Sequence, residues 1–483
     1  MSRALVWFRR DLRLDDHPAL QAALKAGHAP VPVYIHAPEE EAPWAPGAAS
    51  HVWLDRSLRA LQRDLRELGS DLIIRRGPST ETLLALAKEC EAEAVYWHRL
   101  YEPASIKRDV GTKAALKAAG LHAESHNGAL LVEPWTIQTG GGDPYRVFTP
   151  FWKNAKQTLD GNTAFAAPTT LPAVPTLASL DVDVDVDALD LRPPKREGDW
   201  DVGFWQHWTP GEAGAAELLE AFIDGALHGY KEQRNFPDRI GTSKLSPHLH
   251  FGEISPRRIV AALQAANIPA KSKPDLDHYL SELGWREFSH HLLYHFPHTS
   301  DDNMNPRFQE FAWADVDQTL LKAWQRGRTG VPIVDAGMRE LWATGWMHNR
   351  VRMVVASFLT KNLRYHWIHG ARWFWDTLVD ASLPNNTQGW QWTAGTGADA
   401  APYFRIFSPV AQAEKFDPKG AYIQRWVPEL AKAPAAALAE PWEHRELLQR
   451  VAPDYPRRPI VDLKLSRAAA LAAYSGPKTL PED

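Results

Sequence analysis

The sequence predicts an α/β domain built on a doubly wound parallel sheet, followed by an all-α domain. Three observations carry this. Short apolar segments at 4–8 (ALVWF), 31–35 (VPVYI), 71–75 (DLIIR) and 94–97 (AVYW) alternate with amphipathic stretches such as SHVWLDRSLRALQRDLREL and TETLLALAKECEAE, and strand–helix alternation builds a parallel sheet. From Thr209 onward helical periodicity replaces that alternation. Between the two lies a stretch, about 158–200, rich in Pro, Thr, Ala and Asp. At 483 residues the chain exceeds what one core sustains. The expected division is 1–132 (α/β), 133–200 (linker) and 201–475 (helical).

Each element has its local reason. Thr209-Pro210-Gly211-Glu212 reads as a capping box with Pro in the first turn, and Ser246-Pro247 and Ser255-Pro256 read as further helix starts. The DVDVDVD run at 181–187 alternates like a strand, but acid repulsion favours a solvated loop. No G-x-G-x-x-G follows the first strand, so the dinucleotide fingerprint is missing. No apolar run reaches 18 residues, so no membrane span is expected, and the start, MSRALVWFRRDLRLDD, is charged where a signal peptide is apolar. The single cysteine, Cys90, fits a reducing, cytoplasmic setting. No CxxC, HExxH or Cys/His cluster suggests a metal site. With a net charge of -5, DNA binding has to use a local basic patch.

Such a patch exists. From Arg339 to Arg372 there are six Lys/Arg and one acid, Glu340, and 10 of the 21 tryptophans lie between Trp285 and Trp392. Val351, Val354, Val355, Phe358 and Leu359 recur at helical spacing, which predicts one buried helix over about 347–363. On it Asn349, Arg352 and Met353 share a face. An amide, a guanidinium and a thioether together suit a flat, polar, anionic ligand. Three further stretches carry chemistry. Thr242-Ser243-Lys244-Leu245-Ser246 puts hydroxyls and a cation before a helix start, which suits a phosphate; an ordinary cap is the plainer reading. SELGWREF (281–288) places Glu282, Trp285 and Arg286 on one side of a helix, where a Glu282–Arg286 ion pair over a half-buried Trp is the plain alternative. GTGADAAPYFRIFSP (395–409) sets Arg405 among aromatics after tight turns.

TSKLSP, ELGWREF, TGWMHNRVRM, NNTQGWQW and GTGADAAPYFRIFSP, with WFRRDLR at the start, resemble the photolyase/cryptochrome flavoprotein family over nearly the whole chain, and within it microbial class I photolyases that repair cyclobutane pyrimidine dimers. The resemblance implies an α/β antenna domain and a helical domain holding one non-covalent FAD. It assigns Tyr230, Thr242, Ser243, Lys244, Leu245, Ser246, Tyr279, Arg286, Arg352, Asp380 and Asn386 to the cofactor. Arg352 and Asp380 would pair beside the ring, and Asn386 would face its N5. It assigns Glu282, Asn349, Met353 and Asn386 to the chemistry, and Trp285 and Trp392 to the walls of a lesion pocket. Arg350 and Arg405 would hold flanking phosphates, and Trp390, Trp367 and Trp313 would relay electrons. Trp313 needs a one-residue shift from the family spacing.

The sequence also departs from the family. Ser382 stands where a second Asp is usual, Pro384 follows in the same loop, Lys244 replaces Arg and Tyr279 replaces Trp. In YEPASIKRD, Ala104 and Ser105 replace the Asn-Glu of folate-binding members, so the folate ligands are not matched and the expectation is another antenna chromophore or none. The implied activity is light-driven dimer repair by a monomer acting on UV-damaged DNA. A blue-light photoreceptor is the alternative.

Overall fold

Five strands form one parallel sheet in the order β3-β2-β1-β4-β5. They are β1 (Arg3–Phe8), β2 (Ala29–His36), β3 (Ile73–Arg76), β4 (Ala92–His98) and β5 (His122–His126). The apolar segments predicted four of them; β5, HAESH, has no apolar signature and forms by pairing with β4. Helices α1 (Pro18–Lys25), α2 (Ala48–Glu67), α3 (Ser79–Glu89) and α4 (Pro103–Ala118) make the connections. The core between sheet and helices is Leu5, Trp7, Val33, Leu83, Val95 and Trp97, among others. The strand order reverses between β1 and β4, the position where α/β sheets open a crevice at their carboxyl ends.

The computed structural model describes residues 1–161, 164–174, 186–192 and 200–475. Most of the DVDVDVD run, 181–185, lies outside them; Val186, its last valine, is buried and opens a short 3-10 turn, Val186–Leu189. The chain packs as two compact units. One comprises Met1–His228, Ser243–Pro297 and Val379–Pro384, the other Gly229–Thr242, His298–Leu378 and Asn385–Asp483. These limits differ from the sequence-based division at 132 and 200.

The reason is visible in the first unit. Helix α5 (Phe148–Ala155) stands inside the stretch expected as linker, with Phe148, Phe151 and Trp152 buried. Helix α6 (Glu212–Ala221) begins behind Gly211, and no side chain caps it. Glu212 does not close a capping box: its carboxylate accepts the backbone N–H of Leu14 at 2.8 Å and of Asp15 at 2.9 Å. Ser255 does cap, accepting the Arg258 N–H at 2.9 Å. The Trp53 indole N–H donates to Glu253 at 3.0 Å. Polar contacts of this kind tie the segments after residue 200 to the sheet.

The second unit is helical in its described residues. After the short α7 (Tyr230–Gln233), and following α8 (Ser246–Phe251), α9 (Pro256–Ala265) and α10 (Lys273–His295) of the first unit, come α11 (Gln318–Gln325), α12 (Pro332–Thr344), α13 (Asn349–Ser357), α14 (Trp367–Thr377) and α15 (Leu383–Ala394). The helix expected over 347–363 is α13 followed by a π-turn, Phe358–Asn362. The π-turn carries Lys361 into the interior, where its Nζ donates to the Ala394 carbonyl at 2.6 Å.

Candidate functional site

In the first unit, the predicted phosphate stretch lies at the N-terminal end of α8, a helix of six residues. Lys244 is held at φ 54, a left-handed conformation unusual for a long side chain, and its ammonium lies 5.7 Å from the Trp208 ring. Leu245 is buried and Ser246 exposed. Tyr279 is buried against Phe222 and its hydroxyl donates to Ser243 Oγ at 3.3 Å; burial raises that phenol to about 12. Asp380 and Ser382 are buried in the loop before α15, and the Ser382 N–H donates to the Asp380 carbonyl at 2.8 Å.

On α10, the Glu282–Arg286 pair expected as the plain reading does not form. Arg286 bonds to its neighbour Glu287 at 3.2 Å, and Glu282 lies 3.8 Å from His278, one turn earlier. Glu287 also accepts the N–H groups of Leu131 at 2.9 Å and Val132 at 3.1 Å; burial outweighs these contacts and raises its carboxyl to about 7. Trp285 is half-buried and stacked on Phe148, with centroids 3.7 Å apart and planes 9° from parallel. Ala104 and Ser105 lie on α4, Ser105 fully covered.

In the second unit, α13 buries Val351, Val354 and Val355, while Asn349, Arg352 and Met353 remain exposed or half-exposed. His348 caps the helix by accepting the Arg350 N–H at 3.1 Å. Arg352 donates to the Met347 carbonyl at 2.8 Å. Arg350 bonds to Asn235 and spreads over the Phe416 ring at 4.3 Å. Burial lowers its pKa, and the nearby cations Arg234 and Arg405 lower it further. The patch read from Arg350 and Arg405 thus gains Arg234, which no sequence motif singled out. Tyr230 is buried with Arg234 over its ring at 5.5 Å. Thr242 is half-buried and follows Gly241, where a Cβ would strike the Gln233 carbonyl at 2.5 Å. Asn386 donates to the Ala371 carbonyl at 3.0 Å. Trp392 is half-buried, 6.2 Å from Phe407, and its carbonyl accepts the Ala401 N–H at 3.1 Å, folding the 395–409 loop back on α15.

The three tryptophans that the resemblance assigns to electron relay all lie in the second unit. The Trp390 ring lies on α14 at Gly370, where a Cβ would meet it at 2.0 Å, and Trp367 opens the same helix one turn earlier. Trp367 is fully buried and its N–H donates to Asn303 at 2.9 Å. His366 stands 5.4 Å from Trp367 and 5.2 Å from Trp313, which is half-exposed. Burial holds His366 at about 4, so its ring is neutral.

Residues 4–175 match the family described as DNA photolyase, and 279–476 the FAD binding domain of DNA photolyase. A deoxyribodipyrimidine photo-lyase of Agrobacterium fabrum is 44% identical over 98% of each chain. The chain belongs to the photolyase/cryptochrome family. Within the family it is 38% identical to Cryptochrome-1 of Arabidopsis thaliana, over 98% of this chain and 70% of that one. The crystal structure of a bacterial class III photolyase from Agrobacterium tumefaciens superposes with a TM-score of 0.92 at 43% identity, covering 98% and 97% of the two chains. The family's FAD-binding domain is therefore present, and the donor set suits that cofactor. Hydroxyls and an amine at 242–246 fit a pyrophosphate, while the guanidinium of Arg352 and the amide of Asn386 fit a heteroaromatic ring.

One cluster escaped the sequence reading. At the sheet crevice Asp11, His17 and His98 are buried together, with His98 Nδ1 2.9 Å and His17 Nε2 3.3 Å from the Asp11 carboxylate. The other ring nitrogens are also engaged: His98 Nε2 accepts the Ala19 N–H at 3.2 Å, and His17 Nδ1 the Leu20 N–H at 3.0 Å. One nitrogen of each imidazole is thus engaged by a backbone N–H, while His98 Nδ1 and His17 Nε2 face the Asp11 carboxylate.

Proposed function

We propose that this protein is a light-driven lyase that opens cyclobutane pyrimidine dimers in UV-damaged DNA, of the class III rather than the class I type. The near-full-length likeness to the A. tumefaciens class III photolyase carries the class, and replaces the class I affinity expected from motifs. We place it in the cytoplasm as a monomer; no helix among the described residues is long and apolar enough to cross a membrane.

When bound, reduced FAD supplies an electron on absorbing light. Everything else falls to the chain. Thr242, Ser243, Lys244, Leu245, Ser246 and Tyr230 cradle the phosphates and ribityl chain. Tyr279, Arg286, Arg352, Asp380 and Asn386 complete the cofactor's contacts. Trp285 and Trp392 offer aromatic faces that replace the stacking an extruded lesion loses, worth about 1–3 kcal/mol per base. Glu282, Asn349 and Met353 touch the bases, and Arg350 and Arg405 the flanking phosphates. Trp390, Trp367 and Trp313 pass an electron inward from the surface. The file graded from a covered to an open indole is the observation that supports a photoactive role best.

The test is illumination of the reduced holoprotein with an oligo(dT) carrying dimers. Light-dependent loss of dimers is expected. The plant cryptochrome likeness supports a photoreceptor as second reading; flavin photoreduction with no dimer loss would select it.

A further inference from the structure

We propose that Phe148 is a positioning residue for the lesion: it fixes the plane of Trp285, so that one indole face is pre-set for stacking. This rests on the repair reading above. The argument is geometric. Phe148 covers one face of the Trp285 ring at 3.7 Å and 9° from parallel, and Phe288 closes on both rings edge-on, 5.9 Å from each. The neighbour of Trp285 is Gly284, where a Cβ would strike the Trp152 ring at 2.5 Å. Only a residue without a side chain lets α5 lie this close to α10. Phe148 and Trp152 are one turn apart on α5 and clamp the Gly284-Trp285 step together. A half-buried indole held by a parallel ring cannot swing, and the face that remains is the one a base can use. Fixing it beforehand spares the ordering cost that a loose side chain incurs on binding.

The experiment uses the full-length holoprotein and two oligonucleotides, one with a single cyclobutane dimer and one undamaged. Phe148→Leu is expected to raise Kd for the dimer about five- to tenfold. Affinity for undamaged DNA, flavin content and flavin photoreduction stay within about twofold of wild type, and Phe148→Tyr, which keeps the ring, restores dimer binding. In a Trp285→Leu background Phe148→Leu adds nothing further, because the ring it orients is gone. Should Phe148→Leu lose flavin through misfolding, Phe148→Met, which fills the space without a ring, takes its place in every arm. Wild-type affinity in the leucine or methionine variant, or fully additive losses with Trp285→Leu, would overturn the proposal. A wild-type protein that cannot tell the two oligonucleotides apart sinks the repair reading itself. Discrimination that Phe148 does not affect sinks only this inference.

Discussion

The two units each bury a constellation of rings, built for opposite ends. In the sheet crevice, Asp11, His17 and His98 form a closed, buried set, with both imidazoles facing the one carboxylate and each accepting a backbone N–H at its other nitrogen. In the helical unit, Trp367, His366 and Trp313 form an open file, linked by ring contact and running from covered to half-exposed, with Trp390 buried against the same helix at Gly370. A closed set stabilises and goes nowhere. An open file of oxidisable rings adds packing but also leads somewhere. The crevice of an α/β sheet is the usual place to seek a ligand; next to this cluster the crevice residues are spent on the fold.

Substitutions separate the two behaviours. The largest effect is expected from Trp390→Phe, which should abolish flavin photoreduction in a flash experiment while the protein still folds. Retained photoreduction would break the contrast. Asp11→Ala should do the reverse. It strands two imidazole N–H donors and the Arg9 N–H, at about 1–3 kcal/mol each, so denaturant unfolding should show a loss of about 3 kcal/mol or more, with normal photoreduction in what remains folded.

The pH dependence sharpens the same point. Burial lowers His17 and His98, and the two imidazole donors lower Asp11 well below the usual carboxylate range. The unfolded chain takes up protons on the histidines below about pH 6.5 while the fold does not. Stability is therefore whole above that pH and falls as acid is added, with a second loss below about pH 4 as Asp11 protonates. Chemical denaturation across pH 3–8 would show a slope that His98→Gln reduces. Lys361 acts at higher pH. The Tyr403 face, 3.3 Å away, favours the ammonium, but burial without a carboxylate wins and sets the amine at about 6. The unfolded chain keeps that proton to about pH 10.4, so stability should climb between about pH 6 and 10, and Lys361→Met should flatten the climb. The smallest effect is the control. Arg59 pairs with Asp55 and Asp187 in the open, and Arg59→Ala should change stability by about 0.5 kcal/mol or less.

Much of the fold is legible in the sequence alone. Apolar runs marked β1 to β4, and the TSKLSP, ELGWREF and TGWMHNRVRM motifs carried the family resemblance that the comparisons bear out. β5 was not legible, because its residues are polar and only the partner strand makes them a strand. Helix α5 was lost among prolines and threonines, since its apolar stripe means something only against α10. Asp11 and His98 are 87 residues apart in the chain, and no spacing rule joins them. Arg234 likewise acquires its meaning from Arg350 and Arg405.

Gly370 has a consequence of its own. A missing side chain is what lets the Trp390 indole rest directly on helical backbone; under the proposed relay, the gap that charge would cross there is set by an atom the chain does not have. A single added methyl would fall 2.0 Å from the Trp390 ring and push it off the helix, so it would act as a throttle by displacing one ring while removing none.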